Sequence, residues 1–412
     1  MKTTHDDSTK DSPVTPESVE QPAAARPKES TWRRLSFDRR IHGSVTPLAF
    51  LVAFACFGLW QGGVFLNVPA RILDLHSNTP ILLLAVSLMV TLLAGQFDLS
   101  AASMATLSTF LTVGLVVDHG WPFWLVLVAT LTLGVLGGLI NGLLVTRLRI
   151  NTFIATLGTG GAFVGLSSVL SQGSSIVPSV ETPLPGWFSG LGSFGTYTTK
   201  APLAVSLLMI VVLLAIAHIS AGRLRPTGVS DSTWRLIEIG AAVLVLLIAL
   251  ALRSWLHQVT WPVVLLVAVG VVVWVLFRLT VTGRNIQAVG SNPLAARLAG
   301  VRTDREVVKA FMIGGLLASV AGIVLAAQQG SATPDVATGF LLPAFAAAFL
   351  STVVFSAGRF NVWGTIIGGT FLLWVGQGLI VGGLPFTWLP VVNGIVLIVA
   401  VASSTFIQRS QR

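Results

Sequence analysis

Thr282 to Lys309 reads TGRNIQAVGSNPLAARLAGVRTDREVVK, the most charged stretch between the first long apolar run and the C-terminus. It carries its own helix signals. Ser291 or Asn292 suits the N-cap, Pro293 the first helical position, and Gly300 the left-handed residue just past the end. Arg297 falls in the last turn, where the helix dipole favours a cation. Thr303 and Glu306 have the spacing of a capping box for a following helix. A helix of about two turns does not recover its nucleation cost in water, so it requires a neighbouring surface. Ala295, Ala296, Leu298 and Ala299 offer a small apolar surface that fits a partner's groove.

The rest of the chain says where this stretch sits. The protein has 412 residues, of which 53% are hydrophobic and only 10% charged, too apolar for a soluble domain. The pattern is that of an all-α polytopic membrane protein. Its net charge of +9 does not indicate nucleic acid, because the basic residues are scattered between apolar runs instead of forming one face. The single cysteine, Cys56, lies in an apolar run, and the six histidines never pair at ligand spacing, so neither a disulfide framework nor a metal site is expected.

Residues 1–44 hold eight Lys and Arg and seven Asp and Glu with little apolar content, the composition of a disordered tail. A membrane-spanning region, 45–407, follows, and 408–412 form a short C-terminal tail. A spanning helix needs about 20 apolar residues. That ruler yields about twelve candidates, with ten to twelve as the range, near 45–66, 79–97, 100–117, 122–146, 152–171, 202–219, 236–253, 259–279, 306–327, 338–356, 361–381 and 387–407. Positively charged loops stay cytoplasmic. With both termini inside, 22 of the 25 Lys and Arg are cytoplasmic, and only Arg71, Lys200 and Arg253 lie outside. The 280–306 loop is then cytoplasmic and the 172–201 loop external.

Two nucleotide motifs are excluded. Gly190-Leu-Gly-Ser-Phe-Gly195 matches the dinucleotide glycine pattern but sits in the outer loop, not between a strand and a helix. An ATPase phosphate loop needs Lys directly after Gly, and none of Lys2, Lys10, Lys28, Lys200 and Lys309 follows one. The chain is therefore expected to bind no nucleotide itself and to be no enzyme, so any ATP-Mg belongs to another subunit. Gly134, Gly138 and Gly142, like Gly161 and Gly165, and Gly364 and Gly368, have the spacing that lets membrane helices approach closely.

Polar groups at membrane depth are costly and mark candidate pathways. Asp98 lies in Gly95-Gln-Phe-Asp-Leu-Ser100, which splits one apolar region. Two readings stay open: Asp98 or Ser100 caps the helix beginning near Ala101, or Asp98 serves substrate passage or gating. Gln96, Asn141, Thr156 and Asn361 are further pathway candidates, against simple bonding to neighbouring helices.

Thr280-Val-Thr-Gly-Arg284 followed by Ala288-Val-Gly-Ser-Asn-Pro-Leu-Ala-Ala-Arg-Leu-Ala-Gly-Val301 resembles the cytoplasmic signature of permease subunits of ribose- and xylose-type monosaccharide ABC importers, in the branched-chain amino-acid and sugar permease superfamily. Gly95-Gln-Phe-Asp-Leu-Ser100, Phe153-Ile-Ala-Thr-Leu-Gly158 and Gly314-Gly-Leu-Leu-Ala-Ser-Val-Ala-Gly322 extend the resemblance over about residues 80–407. The extra apolar run at 236–253 is similar to the longer, xylose-type members. Phe340-Leu-Leu-Pro-Ala-Phe345 and Gly358-Arg-Phe-Asn-Val-Trp-Gly-Thr365 depart from the glycine-rich, acid-containing passage of most relatives, so the sugar's identity stays open. The resemblance implies a homodimer in the bacterial plasma membrane, in contact with lipid, an ABC ATPase subunit below and an extracytoplasmic sugar-binding protein above. It places ATPase coupling on Gly290, Asn292, Pro293, Ala295, Ala296, Arg297, Leu298, Ala299 and Gly300. A secondary transporter of a small polar solute is the alternative, but only Asp98 is a serious candidate for its ion-coupling carboxylate.

Overall fold

The computed structural model describes residues 52, 54–194, 200–221, 231–352 and 359–410. The N-terminal tail and the start of the first apolar run lie outside them, and residues 54–61 of that run are helical. Among the described residues every regular element is a helix, and the only β pairings are isolated bridges between Ile176 and Ala332 and between Lys200 and Thr260.

The core forms around helices α1 (Val68–Ser77) and α2 (Thr79–Leu93). Asn67 caps α1 by accepting the Ala70 amide, and Pro80 opens α2 after a 51° bend. The sequence reading assigned α1 to a connection, because His76, Asp74 and Arg71 dilute its apolar pattern. Every residue from Leu82 to Val90 has no exposed surface, as expected of a helix apolar all round.

Helices α3 (Ala101–Val117), α4 (Phe123–Thr146) and α5 (Thr152–Ser171) follow. After the short α6 (Gly186–Gly192), α7 (Leu203–Ala221) pairs with the largely exposed α8 (Asp231–Ala251), joined by a contact of 2.7 Å between His218 Nδ1 and the Glu238 carboxylate. The one-turn α9 (Arg253–Leu256) leads to α10 (Trp261–Leu279), α11 (Val281–Ser291), α12 (Pro293–Leu298) and α13 (Thr303–Gln329). A 3-10 turn precedes α14 (Leu341–Leu350), and α15 (Val362–Val381) and α16 (Leu389–Ser410) close the chain.

Each of the eleven apolar runs read from residue 79 onward contains a helix, but the first ends at Leu93 instead of near 97, and of the 338–356 run the α-helix covers only Leu341–Leu350, with 353–356 outside the described residues. Five helices are long and apolar enough to cross a membrane, six if α1 and α2 form one bent span, and five shorter apolar helices accompany them.

Helix α13 packs across α2, α3 and α4. Hydrogen bonds cross these contacts: Ser87 donates to Gly314 O at 2.7 Å, Ser108 to Ser319 at 2.9 Å and Thr109 to Gly322 O at 3.1 Å. A β-carbon on Gly138 would lie 2.1 Å from Phe311 O, so this stripe brings α4 and α13 into backbone contact. A β-carbon on Gly161 or Gly165 would meet nothing within 4 Å, so their spacing serves no contact among the described residues.

Candidate functional site

The Thr282–Lys309 stretch folds as a helical elbow. Thr280 Oγ1 accepts the Gly283 amide at the start of α11. Asn292 then caps α12 by accepting the Ala295 amide at 3.0 Å, with Pro293 in the first position. Ser291, the other cap candidate, turns back to donate to Gln287 O. Gly300 has φ of +83°, the left-handed end expected from the sequence.

Two expectations need correction. The capping box does not form, because α13 begins at Thr303 itself and Arg302 occupies the N-cap without a side-chain bond. Thr303 Oγ1 instead accepts from the Arg297 guanidinium at 3.2 Å, and Glu306 receives Lys309 at 2.9 Å. Arg297 therefore ties α12 to α13. The second correction concerns Ala296, which is buried against Val289, Val307 and Phe311 and seats α12 on its own chain. The outward face is carried by Leu294 and Leu298, 68% and 82% exposed and one turn apart, with Ala295 and Ala299 beside them. Leu294 escaped the sequence reading, since the six-residue helix is too short for periodicity to distinguish its faces.

Helix α11 meets the end of α2 at Gly290. A β-carbon there would lie 1.9 Å from Leu93 O and 3.1 Å from Ala94 C, a backbone-to-backbone contact. Immediately beyond Ala94 the chain leaves helical geometry through Gly95, at φ +74°, and enters the break that holds Gln96, Asp98 and Ser100.

Asp98 is 2% exposed, and its Oδ1 accepts both the amide and the hydroxyl of Ser100, at 2.9 and 2.6 Å. It grips the residue before α3 and receives no first-turn amide, while Ser100 makes no side-chain cap, so neither caps α3 in the expected way. Asn141 Nδ2 donates to Ser100 Oγ at 2.7 Å, and Thr159 donates to Asn141 Oδ1 at 2.6 Å. One hydrogen-bonded chain thus joins the break to α4 and α5. Gln96 accepts from Thr152 at the start of α5. Thr156 is buried near these groups, but its hydroxyl goes to Thr152 O of its own helix.

Asn361 lies outside this chain. It caps α15 by accepting the Gly364 amide and donates to Ser351 O at 3.0 Å. Phe97, in the same break as Asp98, stacks on Phe153 at 5.0 Å and meets Phe345 and Phe349 at 6.2 and 6.1 Å. No sequence signal predicts that cluster, whose members come from three distant segments. Among the described residues no three His, Cys, Asp or Glu side chains converge as a metal set.

This combination of a capped elbow, a backbone contact and a broken core helix lies within residues 75–401, which match the family described as branched-chain amino acid transport system / permease component. The chain belongs to that family. This permease is 27% identical over 361 residues to the xylose transport system permease protein XylH of Escherichia coli K12, covering 86% of this chain and 89% of the relative. It is 28% identical over 351 residues to the autoinducer 2 import system permease protein LsrC of Photorhabdus luminescens, covering 84% and 86%. Against the Haemophilus influenzae xylose permease protein the identity is 26% over 358 residues, 86% of this permease and 93% of the relative. No solved structure matches the permease.

Proposed function

We propose that this permease is the membrane-spanning subunit of an ABC importer that carries a monosaccharide across the bacterial plasma membrane. Two copies form the pathway, an extracytoplasmic sugar-binding protein delivers the sugar, and Mg-ATP is hydrolysed on a separate ATPase subunit. Twelve spans with both termini in the cytoplasm fit the basic-residue asymmetry. The Arg149–Asp304 ion pair, which brings the α4–α5 turn beside the start of α13, and the His76–Gly192 and Ile176–Ala332 contacts support the same two-sided arrangement.

The observation that carries this reading is the elbow, which presents Leu294 and Leu298 outward while Gly290 holds α11 against the end of α2. The ATPase docks on the leucine face. Displacement of α12 is passed through Ala296 to Val307 and Phe311, and through α11 to the Gly95–Ser100 break. The Asp98–Ser100–Asn141–Thr159 chain keeps that break from collapsing, and the phenylalanines around Phe97 close it to water.

The test is co-purification with the cognate ATPase, followed by reconstitution with the binding protein and a panel of pentoses and hexoses. Sugar-stimulated ATP hydrolysis with uptake is the expected result. Absence of a bound ATPase, with uptake driven by an ion gradient alone, refutes the proposal.

A further inference from the structure

A cavity of about 350 Å3 opens between the last turns of α2 and α10, the first turns of α11 and the N-terminus of α15. Arg278, Arg284 and Arg359 converge on it, and no carboxylate lines it. Its deeper walls are apolar and aromatic, formed by Val273, Trp274 and Phe277. On the groove beside α12, which Arg147, Arg302 and Arg305 also line, acids are at hand: Arg149 pairs with Asp304, and Lys309 with Glu306. Among the described residues neither Arg278 nor Arg284 makes an ion pair.

A single arginine in the last turn of α10 is accounted for by the helix dipole and by the basic bias of cytoplasmic loops. Two arginines without an ion pair among the described residues, on one cavity with no carboxylate in its described lining, are not. The N-terminus of the 20-residue α15 adds its positive dipole end at Val362. Gln287 uses its amide hydrogens on Phe277 O and Gly283 O, which fixes the α10–α11 turn and the spacing of Arg278 and Arg284. On another side of its circumference α10 leaves Val272 and Val275 exposed, an apolar track on the same helix.

Cationic head and apolar track together match an amphiphile with a phosphate at one end. We infer that the cavity binds the headgroup phosphate of an anionic phospholipid of the cytoplasmic leaflet, with acyl chains lying along α10. Basic pockets between membrane helices on the cytoplasmic side recognise such headgroups. A free phosphate has no use for the apolar wall. The ATPase contact proposed above is the exposed leucine face of α12, not this cavity. The inference rests on the proposed orientation, which places the α10–α11 turn inside, and is independent of which solute is carried.

Thermal unfolding of the full-length permease in neutral detergent provides the test, with titration by phosphatidylglycerol, phosphatidylcholine or inorganic phosphate. Phosphatidylglycerol alone is expected to raise the midpoint saturably. The Arg278→Gln/Arg284→Gln variant is expected to weaken its apparent affinity about 30-fold, from the strength of basic residues at an anionic leaflet. Arg302→Gln/Arg305→Gln, on the neighbouring groove, leaves the response unchanged. Should the double variant not fold, Arg284→Gln, at an exposed position, weakens the response while Arg284→Lys largely retains it. An undiminished phosphatidylglycerol response in the glutamine variants overturns the site. Equal effects of phosphatidylcholine or of inorganic phosphate overturn the anionic-lipid assignment, and loss of the response on adding the ATPase subunit assigns the arginines to that partner instead. None of these measurements involves transport, so their failure is distinguishable from failure of the importer reading.

Discussion

Replacing Gly290 by alanine tests the link between the docking helix and the broken core helix. The added methyl would sit 1.9 Å from Leu93 O, where ordinary contact begins near 3.4 Å, so α11 and the end of α2 must separate by roughly 1.5 Å. Neither side can yield by rotating a side chain, since both atoms of the clash belong to the backbone. Overpacking of this kind costs ~1–3 kcal/mol, and ~2 kcal/mol shifts a balance between two arrangements about 30-fold. The separation occurs two residues before Gly95 and leaves the Leu294–Leu298 face untouched. Gly290→Ala is therefore expected to keep ATPase binding, lower the thermal midpoint modestly, and raise the ATP hydrolysed per sugar imported in proteoliposomes by about tenfold or more. Gly158→Ala, where an added β-carbon meets nothing within 4 Å, is the control. Wild-type coupling at an unchanged midpoint would refute the reasoning, since α11 would then move freely against α2.

Leu294→Asp and Leu298→Asp, at exposed positions, should abolish ATPase co-purification without lowering the yield of folded permease. Ala296→Trp, by contrast, should destabilise the permease itself by filling the Val289–Val307–Phe311 cluster. Asp98→Asn keeps an oxygen that can accept both Ser100 bonds and should preserve the thermal midpoint. Asp98→Leu leaves those donors unmatched, at ~1–3 kcal/mol each, and should fail to accumulate; loss of uptake in a well-expressed Asp98→Asn protein would show instead that the charge itself is required. Single cysteines in a Cys56→Ala background, placed at Val180, which is 98% exposed, and at Arg302, should react with impermeant thiol reagents from opposite membrane faces. Labelling from one face contradicts the topology.

The elements legible in the sequence are those set by short-range physics. Apolar runs mark helices because the backbone in a bilayer must satisfy its own hydrogen bonds, and α12 is legible to the residue because Asn292, Pro293 and Gly300 act within one turn of themselves. The same locality explains the failed capping box: Thr303 and Glu306 have the right spacing, but the turn after Gly300 starts α13 one residue too early and Arg297 takes the threonine hydroxyl. Gln96, Asp98 and Asn141 were legible as costly polar groups at membrane depth, whereas the union of Asp98 and Asn141 through Ser100, and on to Thr159, was not. Asn141 reaches Ser100 across 41 residues and Gly290 meets Leu93 from a distant part of the chain. Such pairings are determined by how α2, α4, α5 and α11 pack, as are the inward turn of Ala296 and the convergence of Arg278, Arg284 and Arg359. A sequence determines which groups a helix carries; only packing determines which of them face each other, because the free energy of facing depends on partners that no local pattern encodes.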